Sequence, residues 1–181
     1  MEEQVKRIIG ALTLAGALAM AANVSAQPGN PVSQAVATEG HTNETNMVGA
    51  AEAMPAEKYG YKPTEQQISF GDLVYHAAVA NYTLCSIVVG EKAPDTPVKA
   101  TGAKPALIDQ MKQSFAYCYK ALDQLDTTTL GKQEALFGRT VTRAWVLFHL
   151  ALDWGDHYSQ AAMMLRLNGI VPPSAQKRPA R

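Results

Sequence analysis

Apolar side chains recur three and four residues apart through most of this chain, the spacing that lines one face of an α-helix. Phe70, Leu73, Val74, Ala77, Leu84 and Val88 predict a helix over residues 69–90, with Ser69 as its N-cap. Leu107, Met111, Phe115, Cys118, Leu122 and Leu125 predict another over 105–125, with Pro105 in its first turn, where a missing N–H costs nothing. The longest periodic block covers 139–168 and stops at Gly169, ahead of Pro172 and Pro173. A shorter helix is expected over 44–57, closed by Gly60 and Pro63. No segment alternates with the two-residue period of a strand. Four amphipathic helices in this length predict an all-α four-helix bundle.

The N-terminus follows a different pattern. Lys6 and Arg7 precede an unbroken apolar and small-residue stretch at 8–22, and Val24, Ser25 and Ala26 follow it. That stretch is shorter than the ~20 residues of a membrane span, and its flanks match a secretory signal cleaved after Ala26. An uncleaved N-terminal anchor is the alternative. The expected location is therefore periplasmic or secreted, with no stable membrane insertion once residues 1–26 are removed. Residues 27–43, with two prolines, two glycines and no apolar period, are expected to be a flexible linker, and His41 within them a solvated histidine. The bundle is then assigned to 44–174 and a basic disordered tail to 175–181.

Charge narrows the functions. The 16 basic and 16 acidic residues cancel, and the chain stays neutral after trimming because Glu2 and Glu3 leave with Lys6 and Arg7. Such a balance argues against nucleic acid as a partner, and three charges in the tail do not reverse it. The two cysteines, Cys85 and Cys118, are too few for a disulfide scaffold and lack the C-x-x-C spacing of redox proteins. They lie at similar depths in helices 2 and 3. A disulfide between them fits parallel helices joined by the long crossover at 91–104, whereas a tight antiparallel hairpin offsets them by ~12 Å. An oxidising compartment favours the bond; two small buried thiols are the other reading.

Candidate chemistry concentrates on two helices. His76 is the polar member of an otherwise apolar stripe in helix 2, a pattern that a hydrogen-bonded core histidine also produces. In helix 4, His149, Asp153 and His157 recur at i, i+4 and i+8. Residues four apart share a face and can hold one ion between successive turns. His149 and His157 are two turns apart, so one end of the run has another task. Asn81 is expected in a helix–helix hydrogen bond, Trp145 and Trp154 in packing, and Gly155 at a close helix contact that offsets its ~1 kcal/mol propensity cost.

The stretches at 54–90 (MPAEKYGYKPTEQQISFGDLVYHAAVANYTLCSIVVG) and 148–174 (FHLALDWGDHYSQAAMMLRLNGIVPPS) carry a resemblance. Most distinctive are MPAEKYGYKP, the start of the His76 helix, and HYSQ followed by LRLNGIVPPS. Over residues 46–174 the chain resembles the DinB-like metal-binding bundles. The resemblance implies up-down-down-up topology and a homodimer. It also implies one divalent ion, held by a histidine of helix 2 and an HxxxH pair of helix 4. His76 and His157 match two of those ligands, while Asp153 stands where the first histidine of the pair belongs. A carboxylate is still a competent ligand; alternatively Asp153 orients a histidine, His149 replaces it, or the site has decayed. Zinc or nickel is the foremost expectation, with iron or manganese next. Relatives that are hydrolases or thiol S-transferases imply a small-molecule substrate, with His149 as the candidate catalytic base; the alternative is a non-catalytic bundle.

Overall fold

The structure, a computed structural model, describes residues 30–176. The expected signal at 1–26 and the charged residues of the tail, 177–181, lie outside the described residues. Four helices, α1 (Pro31–Ala53), α2 (Phe70–Val89), α3 (Lys104–Asp123) and α4 (Arg143–Leu167), form an all-α bundle. A short hairpin of β1 (Gln133–Leu136) and β2 (Arg139–Thr142) precedes α4.

Local signals set most of the ends. Ser69 and Asp72 form a reciprocal capping box at the start of α2, and Gly90 ends that helix in the left-handed conformation at φ 75°. Thr142 caps α4 by accepting from the Trp145 amide at 3.2 Å.

Two expectations about element bounds are corrected. Residues 31–43 are not a linker but the first half of α1, opened by the Asn30 side chain accepting from the Val32 amide (2.9 Å) and by Pro31. The buried face there carries Ser33, Gly40 and Asn43, continuing to Met47, Ala50 and Ala51. The helical period is present but written in small residues, because bulky partners fill the space. A Cβ on Gly40 would come within 3.0 Å of the Trp154 ring and 3.1 Å of Tyr119. His41 is exposed, as expected of a solvated side chain, though its ring also lies 4.1 Å from that of Tyr119. The second correction is the hairpin. Residues 139–142 pair with 133–136 instead of opening helix 4, and α4 begins at Arg143. Four-residue strands are too short to show alternation, and the turn lacks the usual Asn-Gly signal: Phe137 and Gly138 carry positive φ, 52° and 72°. The buried Arg143 pins the hairpin to the bundle through Glu134 (2.7 Å).

Side-chain pairings fix the helix directions. Asn81 donates to Ser114 Oγ at 2.9 Å, and one turn on in both helices Cys85 and Cys118 share a disulfide, with Cα atoms 5.2 Å apart. Partners that advance together make α2 and α3 parallel. Across α2 and α4 the order reverses, since His76 meets His157, Asn81 meets Trp154, and Gly90 meets Arg143. The α1–α3 pair is also antiparallel: Glu44 accepts from the Tyr119 hydroxyl, Glu52 pairs with Lys112, and the Met54 carbonyl accepts from Lys104. The topology is up-down-down-up, and the crossover at 91–103 makes the parallel return feasible. Gly155, expected at a close contact, faces open space.

Candidate metal centre

The antiparallel packing of α2 on α4 brings together residues 81 positions apart in sequence. His76, in the second turn of α2, places its ring 4.9 Å from that of His157, centroid to centroid, at an interplanar angle of 37°. His157 is 5% exposed, whereas His76 is exposed at the mouth of the cluster. The Nδ1 of His157 lies 2.6 Å from the backbone carbonyl oxygen of Asp153, one turn earlier. A carbonyl oxygen can only accept, so Nδ1 carries a proton, and in the neutral ring Nε2 is then the nitrogen with the free lone pair. This is how metal-binding histidines are held, with one ring nitrogen donating to a carbonyl and the other available.

Asp153 adds its carboxylate on the Nδ1 side of that ring, 3.4 Å from the nitrogen. Burial raises the Asp153 pKa, against the opposing pull of charge on His157, His149 and His76. Burial also lowers the pKa of His76, aided by His157 and opposed by Asp153. Both shifts follow from the same cause: α2 and α4 together exclude enough water to disfavour charge. The outcome for His76 is a neutral imidazole, the form that can donate a lone pair.

The donors suit a divalent transition ion in type and proximity. Their arrangement fits it in part. Among the described residues, no three histidine, cysteine, aspartate or glutamate side chains surround a common point as they stand. Two imidazoles adjoin, but the Asp153 carboxylate faces the protonated Nδ1 of His157, so it becomes a third ligand only by changing rotamer. In its present place it orients His157.

His149 is not part of this group. Its ring stacks on Trp145 at 4.7 Å and 13°, and meets the Phe137 ring edge-on at 5.9 Å. It lies one turn before Asp153, near enough for its charge to act on that carboxyl. Trp145 therefore belongs to the surroundings of the candidate site, while Trp154 is core and donates its indole N–H to Asn81 at 2.6 Å. Reading the sequence missed Phe137. The Phe-Gly pair followed by the β-branched Thr-Val-Thr run was the available signal for a hairpin there.

Comparison with known proteins fits this architecture. The crystal structure of a DinB-like protein from Bacillus subtilis superposes with a TM-score of 0.65 at 21% identity, covering 80% of this chain and 99% of its own. A DinB-like protein from Bacillus cereus gives 0.59 at 17% identity, with 76% and 93% covered. A conserved protein from Enterococcus faecalis gives 0.63 at 19%, with 74% and 95% covered. At these identities the likeness is one of fold. No curated protein matches the sequence. The family profile described as the DinB superfamily matches residues 39–161, a span that includes His76, Asp153 and His157, and the chain belongs to that superfamily.

Proposed function

We propose that this protein binds one divalent transition metal ion through His76, His157 and Asp153, and that it acts on a small molecule by metal-assisted hydrolysis or thiol transfer. The observation that carries the reading is the hydrogen bond from His157 Nδ1 to the Asp153 carbonyl, which presents a bare Nε2 beside a neutral His76. A core histidine kept only for packing has no need of a second imidazole against its ring. Zinc or nickel suits two imidazoles and a carboxylate best, with iron or manganese as further candidates. When bound, the ion supplies Lewis acidity that lowers the pKa of a water or thiol.

The chain's own residues do the rest. His157 is oriented by the Asp153 carbonyl, His76 leaves one side of the cluster open to solvent, and His149 offers imidazole nitrogens one turn away for taking up a proton. One face of the His149 ring lies on Trp145, which holds it in place. Export through residues 1–26 is part of the same reading, and a disulfide between Cys85 and Cys118 is in keeping with an oxidising compartment.

Metal analysis of the tag-free protein tests this. We expect close to one equivalent of zinc or nickel after reconstitution and dialysis. His76→Ala and His157→Ala should each lose most of it, and Asp153→Ala should weaken binding about 10–100-fold, whether it ligates or orients. Occupancy below a tenth of an equivalent for every transition metal would leave the non-catalytic bundle as the reading.

A further inference from the structure

The crossover between α2 and α3 lies against the parallel pair and bounds a groove of about 270 Å3. Its walls are Tyr82 of α2, Pro97 and Val98 of the crossover, and the first turns of α3. That is room for roughly nine water molecules, so a ligand here is small. The crossover wall is held in shape. The Val98 N–H donates to Gln110 Oε1 at 3.1 Å, and the Gly102 N–H closes a turn onto the Lys99 carbonyl at 2.8 Å. A Cβ on Gly102 would come within 2.6 Å of Val98, so the turn needs a glycine there.

Gln110 lines this groove and is 4% exposed. Its amide oxygen is committed to Val98, which fixes the orientation of the amide and leaves Nε2 as a buried donor with no partner among the described residues. Buried donors nearly always have a partner, because a donor taken from water without one loses its hydration for nothing. Tyr82, 8% exposed, adds a phenol that burial keeps protonated and able to donate. The charges along the groove have one sign: Asp95 of the crossover and Asp109 of α3 are both exposed, and among the described residues no basic side chain lines it. A bare metal ion would suit the carboxylates but offers the Gln110 donor no acceptor. A neutral amide would suit the donor and leave the carboxylates without a counter-charge. A ligand that answers both carries a positive charge and an acceptor oxygen.

We propose that the groove under the crossover binds a small organic cation with a carbonyl oxygen close to its ammonium group, the pattern of an α-amino amide. The ammonium meets Asp95 and Asp109, and the carbonyl oxygen accepts from Gln110 Nε2. Tyr82, Pro97 and Val98 supply the walls that exclude water from the short link between the two groups. The groove lies on the α2–α3 side of the bundle, whereas His76 and His157 adjoin between α2 and α4. The inference therefore stands whether or not that cluster takes a metal.

The test is an NMR titration of the metal-free protein with three probes of the same size. Glycinamide carries both groups, propionamide keeps the carbonyl without the charge, and isobutylammonium keeps the charge without the acceptor. At about pH 6.5 the amines are protonated. The side-chain NH2 of Gln110 and the backbone amide of Val98 report on the groove. We expect glycinamide to shift both resonances saturably and to bind about tenfold more tightly than either of the other probes, as loss of one charged hydrogen bond implies. Asp95→Asn with Asp109→Asn, two exposed positions that leave the packing alone, should bring its affinity down to that of propionamide. Gln110→Met, of similar length, should bring it down to that of isobutylammonium, read on the Val98 amide. Equal affinity for the three probes would overturn the proposal, as would affinities that the aspartate variants leave intact. Shifts at Gln110 produced by calcium chloride more strongly than by glycinamide would make the groove a metal site and also overturn it. If no probe moves either resonance and Gln110 shows contact with a long-lived water instead, the donor is satisfied by that water and the proposal falls.

Discussion

His157 shows how a single side chain becomes committed to one protonation pattern. Its Nδ1 is tied to the carbonyl of Asp153 by helix geometry, since both belong to α4 and lie one turn apart. His76 is tuned by less local means, because its partial burial against α4 and repulsion from a charged His157 both lower its pKa, while Asp153 works the other way. In the metal-free protein, the His76 ring should therefore titrate below the ordinary histidine value of about 6.5. Asp153→Asn should push it lower still by removing the one group that favours its charge. Histidine Cε1 shifts followed by NMR across pH 4–8 will check both; a His76 midpoint at or above 6.5 would contradict the burial argument. The sign for stability follows. Near pH 6.5 the unfolded chain holds more protons at this histidine than the folded one. His76 thus contributes stability that is fully present above 6.5 and is lost as pH falls through that value toward the folded-state pKa. Behind the cluster, Asn81 is 1% exposed and joins three helices, donating to Ser114 and accepting from Trp154. It holds α4 in register against α2 at the level of Asp153.

At the scale of elements, the surest ends are those with chemical punctuation. The Ser69–Asp72 box and Gly90 bracket α2 where the sequence implies. Proline at the start of α1 read as a loop signal, yet Pro31 opens a helix, since its missing N–H falls on a position with no intrahelical partner. Gly155 in α4 contacts nothing, so the expectation of a close helix approach there was wrong, and the close approach occurs at Gly40 in α1. The α2–α3 pair is also bridged by one covalent link. Cys85 and Cys118 close a loop with a separation of 33 residues, and a chain-entropy argument assigns such a link about 3–4 kcal/mol. Free-thiol titration of the protein under denaturing, non-reducing conditions should find no thiol. Replacing both cysteines with serine should lower unfolding free energy in denaturant by about 3 kcal/mol; a loss under about 0.5 would show the parallel pair to be held by packing alone.

For the whole molecule, the export proposed above and the bundle fit a single account. An extracytoplasmic setting permits the disulfide, the disulfide braces the parallel pair that the crossover creates, and α4 then lies antiparallel to α2 with the histidines adjoining. Expression in a bacterial host with the chain intact should yield a periplasmic or secreted product beginning at Gln27, read by intact mass and N-terminal sequencing. A product that keeps residues 1–26 and stays with the membrane would replace the cleaved signal by an anchor.

What the sequence determined by itself is what depends on neighbours along the chain. Helical period, caps and stops placed most of three helices. The spacing His149, Asp153, His157 put those residues on successive turns before any packing was known, because 3.6 residues per turn is a local property. Part of α1 escaped for the complementary reason: its buried face is set by the size of Trp154 and Tyr119 on other helices, so its own residues are small and show no apolar stripe. The hairpin escaped because four-residue strands carry too little pattern. Only tertiary structure decided that His76 meets His157, which requires α2 and α4 to run in opposite directions at one register. It also decided that the Asp153 carboxylate lies on the protonated side of the His157 ring, and that Phe137 turns its ring toward His149. The His76–His157 and Phe137–His149 contacts relate different elements, which no local periodicity encodes, while the side of the His157 ring that Asp153 takes depends on rotamers that packing selects.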